Sequence, residues 1–290
     1  MGNPSSRSLI FVGAHPDDET FGLGGTLAHY AAQGVKVVYA CATRGDVGSA
    51  DPEHMEGFAS SGDMRWAELT CAAKELQLAD LIYLGYRDSG MPGSPDNTHP
   101  NALAAAPLEA ATAKVVKVLR EVKPQVVITF DPIGGYRHPD HIAIHHATVR
   151  AFHAAGDAKQ FPELGPAYQP QKLYYTVFSR RYLKLAIRWM PLLGRDPRRF
   201  GRNHDIDLTQ LVEVEFPTHA TIRAGRAADA MRRRAVACHK SQLAGGPPIE
   251  GVWGLIMRLS EINDTFMRVH PPVPANGRVN ERDLFEGVIG

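Results

Sequence analysis

Two short clusters carry the chemistry this chain could perform. His15-Pro16-Asp17-Asp18 sets an imidazole and a carboxylate three residues apart, and His138-Pro139-Asp140-His141 sets two imidazoles at the same spacing. Imidazole nitrogen and carboxylate oxygen are both zinc ligands, and a catalytic zinc site uses three protein ligands with a fourth position open. One histidine and one aspartate from the first cluster, joined by a histidine from the second, meet that count. Zinc brings the pKa of bound water down to about 7 and polarises a carbonyl, so hydrolysis is the chemistry such a set serves. One carboxylate must stay off the metal as general base, and on residue types alone Asp17 and Asp18 can fill either role. Iron(II) accepts the same His/His/Asp face.

The competing explanation is structural. Asp17, Asp18 and Glu19 would also suit the start of a helix, where acidic side chains are favoured. Capping accounts for either cluster alone. It does not account for two His-Pro-Asp tripeptides that each follow a predicted strand.

Those strands come from hydrophobic periodicity. From Ser8 the chain alternates β-rich runs with helical patterns: SLIFVGA, a helix in GLGGTLAHYAAQG, VKVVYACAT, a helix through RWAELTCAAKELQL, then DLIYLG. A helix over 104–123 stops at Pro124, and QVVITF is a continuous apolar run suited to a strand covered on both faces. The pattern predicts an α/β fold, a Rossmann-like and mostly parallel sheet with helices on both faces. Such sheets place their chemistry beyond the C-terminal strand ends, where both clusters fall. A helix over 142–155 follows, then a Pro/Gly-rich stretch and a strand in KLYYTVF. The division expected is one domain over 1–290, with a core at about 8–155, an insertion or lid at about 156–205 and a C-terminal part at about 206–290. A helix over 224–239 leads to His239-Lys240-Ser241-Gln242.

The motifs AHPDDE (14–19), RDSGM (87–91) and GGYRHPDH (134–141) resemble the LmbE/PIG-L family of zinc de-N-acetylases. They are most similar to its bacterial branch acting on mycothiol and its precursor, with the bacillithiol enzymes as neighbours. The likeness spans about Leu9 to His146, with a weaker echo at HKSQ. The resemblance implies His15, Asp18 and His141 as metal ligands and Asp17 as general base and later general acid. It implies His138 as the group that stabilises the oxyanion, Asp140 as its orienting partner and Tyr136 as a tyrosine over the site. It further implies Arg65 and Asp88 as binders of sugar hydroxyls and His239 as a residue approaching the substrate. The implied reaction removes an N-acetyl group from an N-acetylglucosamine-containing small molecule. The alternatives are a zinc amidase or esterase for a non-sugar or thiol-conjugate substrate, and a non-catalytic sugar-binding module that retains a structural metal.

Other features are read more plainly. Gly22-Leu23-Gly24-Gly25 lacks the third glycine of a dinucleotide loop, since Leu27 stands there, and the acidic run before it would repel a pyrophosphate. His145 and His146 read as one face of a helix rather than a second metal site. The segment from Arg180 to Arg202 interleaves arginines with leucine, isoleucine and tryptophan, and reads as a lid ahead of a membrane-surface patch or a grip for an anionic substrate. A formal charge of +1 over 290 residues gives no general argument for nucleic acid. Cys41, Cys71 and Cys238 lie far apart and form no CxxC pair, so no disulfide framework is expected and a reducing cytoplasm fits best. The Leu9–Ala14 run is too short for a membrane span, so no stable insertion is expected. A homo-oligomer is compatible with the sequence.

Overall fold

The computed structural model describes residues 7–48, 50–177, 180–194, 196–199, 207–243, 263–274 and 277–289. Five strands run parallel: β1 (Ser8–Gly13), β2 (Lys36–Thr43), β3 (Asp80–Tyr86), β4 (Val126–Thr129) and β5 (Lys172–Val177). All of β1 and β4 is buried, which is why their sequences are unbroken apolar runs rather than alternating ones.

The intervening helices are α1 (Gly24–Ala31), α2 (Ser61–Glu75), α3 (Leu108–Val122), the single turn α4 (Gly134–Arg137) and α5 (Pro139–Ala154). Helix α2 starts earlier than its apolar pattern because the Ser60 hydroxyl accepts from the Asp63 N–H and caps it. Helix α3 starts later than expected, after Pro107, and ends at Lys123 in a left-handed conformation ahead of Pro124.

Beyond β5 come α6 (Arg180–Trp189), β6 (Ala220–Arg223), α7 (Gly225–Val236), the one-turn α8 (Lys240–Leu243) and β7 (Asn263–His270). The sheet order is β3-β2-β1-β4-β5-β7-β6, with β7 antiparallel to both β5 and β6. The C-terminal part therefore completes the same sheet rather than forming a layer of its own. Helix α3 packs on α5, while α7 packs on α1 and α2. Large buried side chains, among them Phe11, Tyr39, Phe152, Tyr174 and Phe266, fill the core.

One expectation is corrected. Cys71 of α2 and Cys238, just beyond α7, form a disulfide with Cα atoms 5.7 Å apart, although 167 residues separate them in sequence. The packing of α7 on α2 creates that proximity, and no local spacing encodes it. Cys41 is free and buried. Among the described residues no helix is long and apolar enough to cross a membrane. In the basic segment, Leu185, Trp189 and Leu192 are exposed, and Arg202 lies outside the described residues.

Candidate metal centre

Strands β1 and β4 are neighbours, and the chain moves outward from them in opposite directions, so the loops leaving their C-terminal ends meet at the switch point of the sheet. After β1, Asp18 folds back so that Oδ2 accepts from the N–H groups of Ala14 (3.0 Å) and His15 (2.7 Å). The Tyr39 hydroxyl donates to the His15 carbonyl at 2.7 Å. After β4, Asp131 Oδ1 accepts from the N–H groups of Ile133 and Gly135, which shapes the turn into α4. Gly134 has φ +66°, and a Cβ there would lie 2.9 Å from the His141 Cβ. Glycine is thus required for the loop to pass His141. His138 caps α5, its Nδ1 accepting from the Asp140 N–H at 3.2 Å.

Three donors converge here. His15 Nδ1 and His141 Nε2 are 3.2 Å apart, Asp18 Oδ1 is 3.4 Å from His141 Nε2, and Asp18 Oδ2 is 3.7 Å from His15 Nδ1. Donors at zinc distances on a tetrahedron stand about 3.3 to 3.6 Å apart, close to the His15–His141 and Asp18–His141 separations, while the His15–Asp18 separation runs to the other carboxylate oxygen. On the other side of the His15 ring, Nε2 is 3.2 Å from Asp140 Oδ2 and 3.5 Å from Asp88 Oδ1, with His138 beside them. His15, Asp88, His138 and Asp140 thus form a second group of donor atoms, and His15, His138 and His141 form a third. An imidazole binds a metal through one nitrogen and donates through the other, and two carboxylates at Nε2 are acceptors for its N–H. This leaves Nδ1, the side of Asp18 and His141, as the lone pair.

The electrostatics agree with a cation. Burial alone would lower the pKa of His15, but Asp88, Asp140 and Asp18 outweigh it and hold it well above its ordinary value. The surroundings therefore favour positive charge at this point. Burial and the His15 charge press His141 well below its ordinary value, which keeps its ring neutral. That ring lies flat on Phe130, 3.9 Å between centroids. His138 is also held well below its ordinary value, by burial and then by His15 and His141. A neutral ring whose Nδ1 accepts from Asp140 carries its proton on Nε2.

Asp140 is placed differently from its expected role. Its carboxylate reaches His15 and is held by the Ser89 N–H at 2.9 Å and the Ser89 hydroxyl, so only its backbone orients His138. Ser89, fully buried, is a site residue that the reading of RDSGM passed over in favour of its neighbour Asp88. Tyr136 is half-buried, its ring 5.0 Å from that of His141 and 5.8 Å from that of His138.

Asp17 has φ 125°, a left-handed backbone that a side chain makes costly. Arg65 donates to its Oδ2 at 2.9 Å and also to the carbonyls of Pro16 and Gly45. Burial pushes the Asp17 carboxyl up to about 6, with Arg65 opposing and Asp18 reinforcing. Arg65 and His239, which the resemblance implies as sugar and substrate contacts, are both held by partners within the fold. They are 5% and 0% exposed, because Arg65 is spent on the Asp17 loop and His239 Nε2 donates to Glu19 at 2.9 Å. Asp88, 4% exposed, accepts from the Gly90 N–H and faces His15, so its carboxylate serves the loop before any sugar. His145 Nδ1 donates to the Phe130 carbonyl at 2.8 Å and takes no part in these donor groups.

Residues 10–152 match the family described as PIG-L, GlcNAc-PI de-N-acetylase. The chain is 38% identical over 252 residues to a 1D-myo-inositol 2-acetamido-2-deoxy-alpha-D-glucopyranoside deacetylase of Geodermatophilus obscurus, an alignment that covers 84% of this chain and 85% of the relative. It belongs to the PIG-L family. Among solved structures, the conserved protein TT1542 of Thermus thermophilus superposes with TM-score 0.57 at 22% identity, covering 92% of this chain and 96% of that one. The 4-carboxy-2-hydroxymuconate hydratase of Pseudomonas putida superposes with TM-score 0.54 at 18% identity, covering 93% and 99%. These two likenesses establish the PIG-L fold alone, since one architecture serves hydrolysis and hydration. The activity of this PIG-L member has to be argued from its site.

Proposed function

We propose that this chain is a metal-dependent hydrolase that removes the N-acetyl group from an N-acetylglucosamine-containing small molecule. The observation that carries the reading is the convergence of His15 Nδ1, His141 Nε2 and the Asp18 carboxylate, with Asp17 beside them and not among them. A divalent cation held by those three donors would supply Lewis acidity toward the acetyl carbonyl and the attacking water.

The chain's own groups do the rest. Asp17, held by Arg65 and raised toward neutrality, takes a proton from water as the water oxygen attacks the carbonyl carbon. His138 donates from Nε2 to the oxygen that gains negative charge. Asp17 then returns the proton to the departing amine nitrogen as the C–N bond breaks, leaving acetate and a free amino sugar. Asp140 and Asp88 hold His15 Nε2–H, which keeps Nδ1 turned toward the metal position.

The amino-sugar part is supported by the relative from Geodermatophilus obscurus and by the family description. The test is acetate release by purified protein from GlcNAc-inositol, GlcNAc-malate, mycothiol conjugates and chitobiose, before and after chelation and after zinc or iron(II) is restored. Release that stops on chelation and returns with metal supports the reading. Release indifferent to exhaustive chelation, or confined to non-sugar amides, overturns it.

A further inference from the structure

The resemblance implies His239 as a residue approaching the substrate, and the structure buries it against Glu19. His239 is fully buried, and its Nε2 donates to Oε1 of Glu19, which is fully buried too. The other oxygen of that carboxylate, Glu19 Oε2, accepts from the backbone N–H of Asp17 at 2.9 Å. The chain of contacts thus runs from His239 through Glu19 to Asp17, the non-glycine residue of the loop after β1 with a left-handed backbone. A strained conformation persists only where its surroundings over-determine it, and Asp17 is held at both ends. Arg65 grips its carboxylate, and Glu19 grips its N–H.

Both grips depend on one helix. Arg65, Glu68, Cys71 and Glu75 follow one another along a single stripe of α2 at spacings of three or four residues. Each takes a partner from elsewhere in the fold. Arg65 takes Asp17. Glu68 accepts from the Ser241 N–H and hydroxyl, both at 2.8 Å, Cys71 is bonded to Cys238, and Glu75 pairs with Arg234 at 2.5 Å. The last three partners bracket His239, from Arg234 in the last turn of α7 to Ser241 in α8. Behind the stripe, Ala28 of α1 joins Ala72, Leu76, Ala228, Met231, Ala235 and Cys238 in a small apolar cluster. Small residues give that cluster little area to hold α7 down, so polar and covalent contacts fix the position of His239.

We propose that His239 is a positioning residue for Asp17, acting through Glu19, and that the Cys71–Cys238 disulfide staples His239 in register on α2. This rests on the reading of Asp17 as the catalytic base. A reductant such as dithiothreitol supplies two electrons and two protons to the Cys71–Cys238 bond, giving two thiols and its own cyclic disulfide. The staple then opens, and the Glu68, Glu75 and Glu19 contacts, with the packing of α7 on α1 and α2, retain the segment.

The experiment compares the full-length, metal-loaded protein with His239→Ala, His239→Gln and Cys71→Ser/Cys238→Ser. His239→Ala lowers kcat by about tenfold to a hundredfold, with KM and metal content near those of the parent, because Asp17 is displaced while the ligands and the substrate contacts are not. His239→Gln, whose amide N–H can still reach Glu19, restores most of that loss. Dithiothreitol lowers kcat of the parent in the same direction and has no effect on the double serine variant. A rise in KM on His239→Ala with no rescue by glutamine makes His239 a substrate contact and overturns the proposal. A reduced parent with unchanged kcat overturns the staple. The backbone amide resonance of Asp17, which reports its bond to Glu19, provides a readout that needs no turnover. It moves in His239→Ala and on reduction if the positioning holds, and an unmoved resonance overturns it even if no substrate is ever cleaved. Absence of acetate release by the parent, by contrast, counts against the hydrolase reading alone.

Discussion

Asp18 and His141 meet with Oδ1 of the carboxylate 3.4 Å from Nε2 of the imidazole, while Oδ2 of the same carboxylate stays on the N–H groups of Ala14 and His15. One aspartate therefore ties the β1 loop to itself and reaches across to the β4 loop. Its neighbour Asp17 does neither, since its carboxylate is turned to Arg65. Two adjacent residues of the same type are thereby given different work by the backbone, which flips at Asp17 to φ 125°.

That separation predicts opposite signatures for the acidic pair. Asp18→Ala and His141→Ala each remove one of the three proposed ligands and should deplete the bound metal, measured by elemental analysis after gel filtration. Asp17→Asn keeps the shape and the Arg65 contact and should keep metal near the parental level while turnover falls by at least about a hundredfold. Retention of most of the rate by Asp17→Asn would remove it as the base.

His138 should behave as a donor to charge that develops only during reaction. With Nδ1 accepting from the Asp140 N–H, its proton lies on Nε2, the arrangement that an oxyanion needs. His138→Ala should lower kcat by about a hundredfold to a thousandfold with little change in KM and with metal retained. Steady-state kinetics alongside metal analysis checks this. Loss of metal in His138→Ala would instead favour the donor group on the Nε2 side of His15.

How much of this was legible beforehand follows from what each feature depends on. The site loops could be read because they are local. Each follows a buried strand, with His15, Asp17 and Asp18 two to five positions beyond the end of β1 and His138 to His141 nine to twelve positions beyond the end of β4. The antiparallel pair β6 and β7 could not. ATIR and NDTFMRVH are short and part polar, with only alternate positions of β6 buried, and their place beside β5 depends on long-range pairing. The disulfide and the Glu19–His239 contact are likewise products of α7 docking on α2, across 167 and 220 residues. Glu19 itself looked like a helix-start acid because in sequence nothing distinguishes a cap from a buried clamp.

The C-terminal segment should prove to be held by charge as well as by apolar contact. Glu281 lies between Lys172 Nζ at 2.8 Å and Arg268 at 2.7 Å and accepts from the Tyr174 hydroxyl at 2.6 Å, with Lys172 only 3% exposed. Glu281→Gln strands the buried Lys172 ammonium and should cost about 3 to 5 kcal/mol. In urea the midpoint should fall with the slope unchanged. Replacing both buried partners, as in Lys172→Met with Glu281→Leu, should recover much of the loss, since apolar groups need no partner. A single variant as stable as the parent would show that water reaches the pair.

Asp264 should make stability fall as acid is removed. Its carboxyl, buried against the N–H and hydroxyl of Thr26, is pushed by burial up to about 6 from an ordinary 3.8, the Thr26 bonds only partly opposing. Between those two values the folded chain holds a proton on Asp264 that the unfolded chain has released. The contribution is therefore complete below about pH 4, declines by about 1.4 kcal/mol per pH unit toward pH 6, and is flat above. Over the whole window it amounts to about 3 kcal/mol. Asp264→Asn cannot titrate, and its amide oxygen can still accept from Thr26. Urea unfolding of parent and variant across that range should show the parent losing this stability relative to the variant as pH rises. A constant difference between the two at every pH would mean that Asp264 is already ionised in the folded chain, with Arg232, which draws its pKa down, strong enough to outweigh burial.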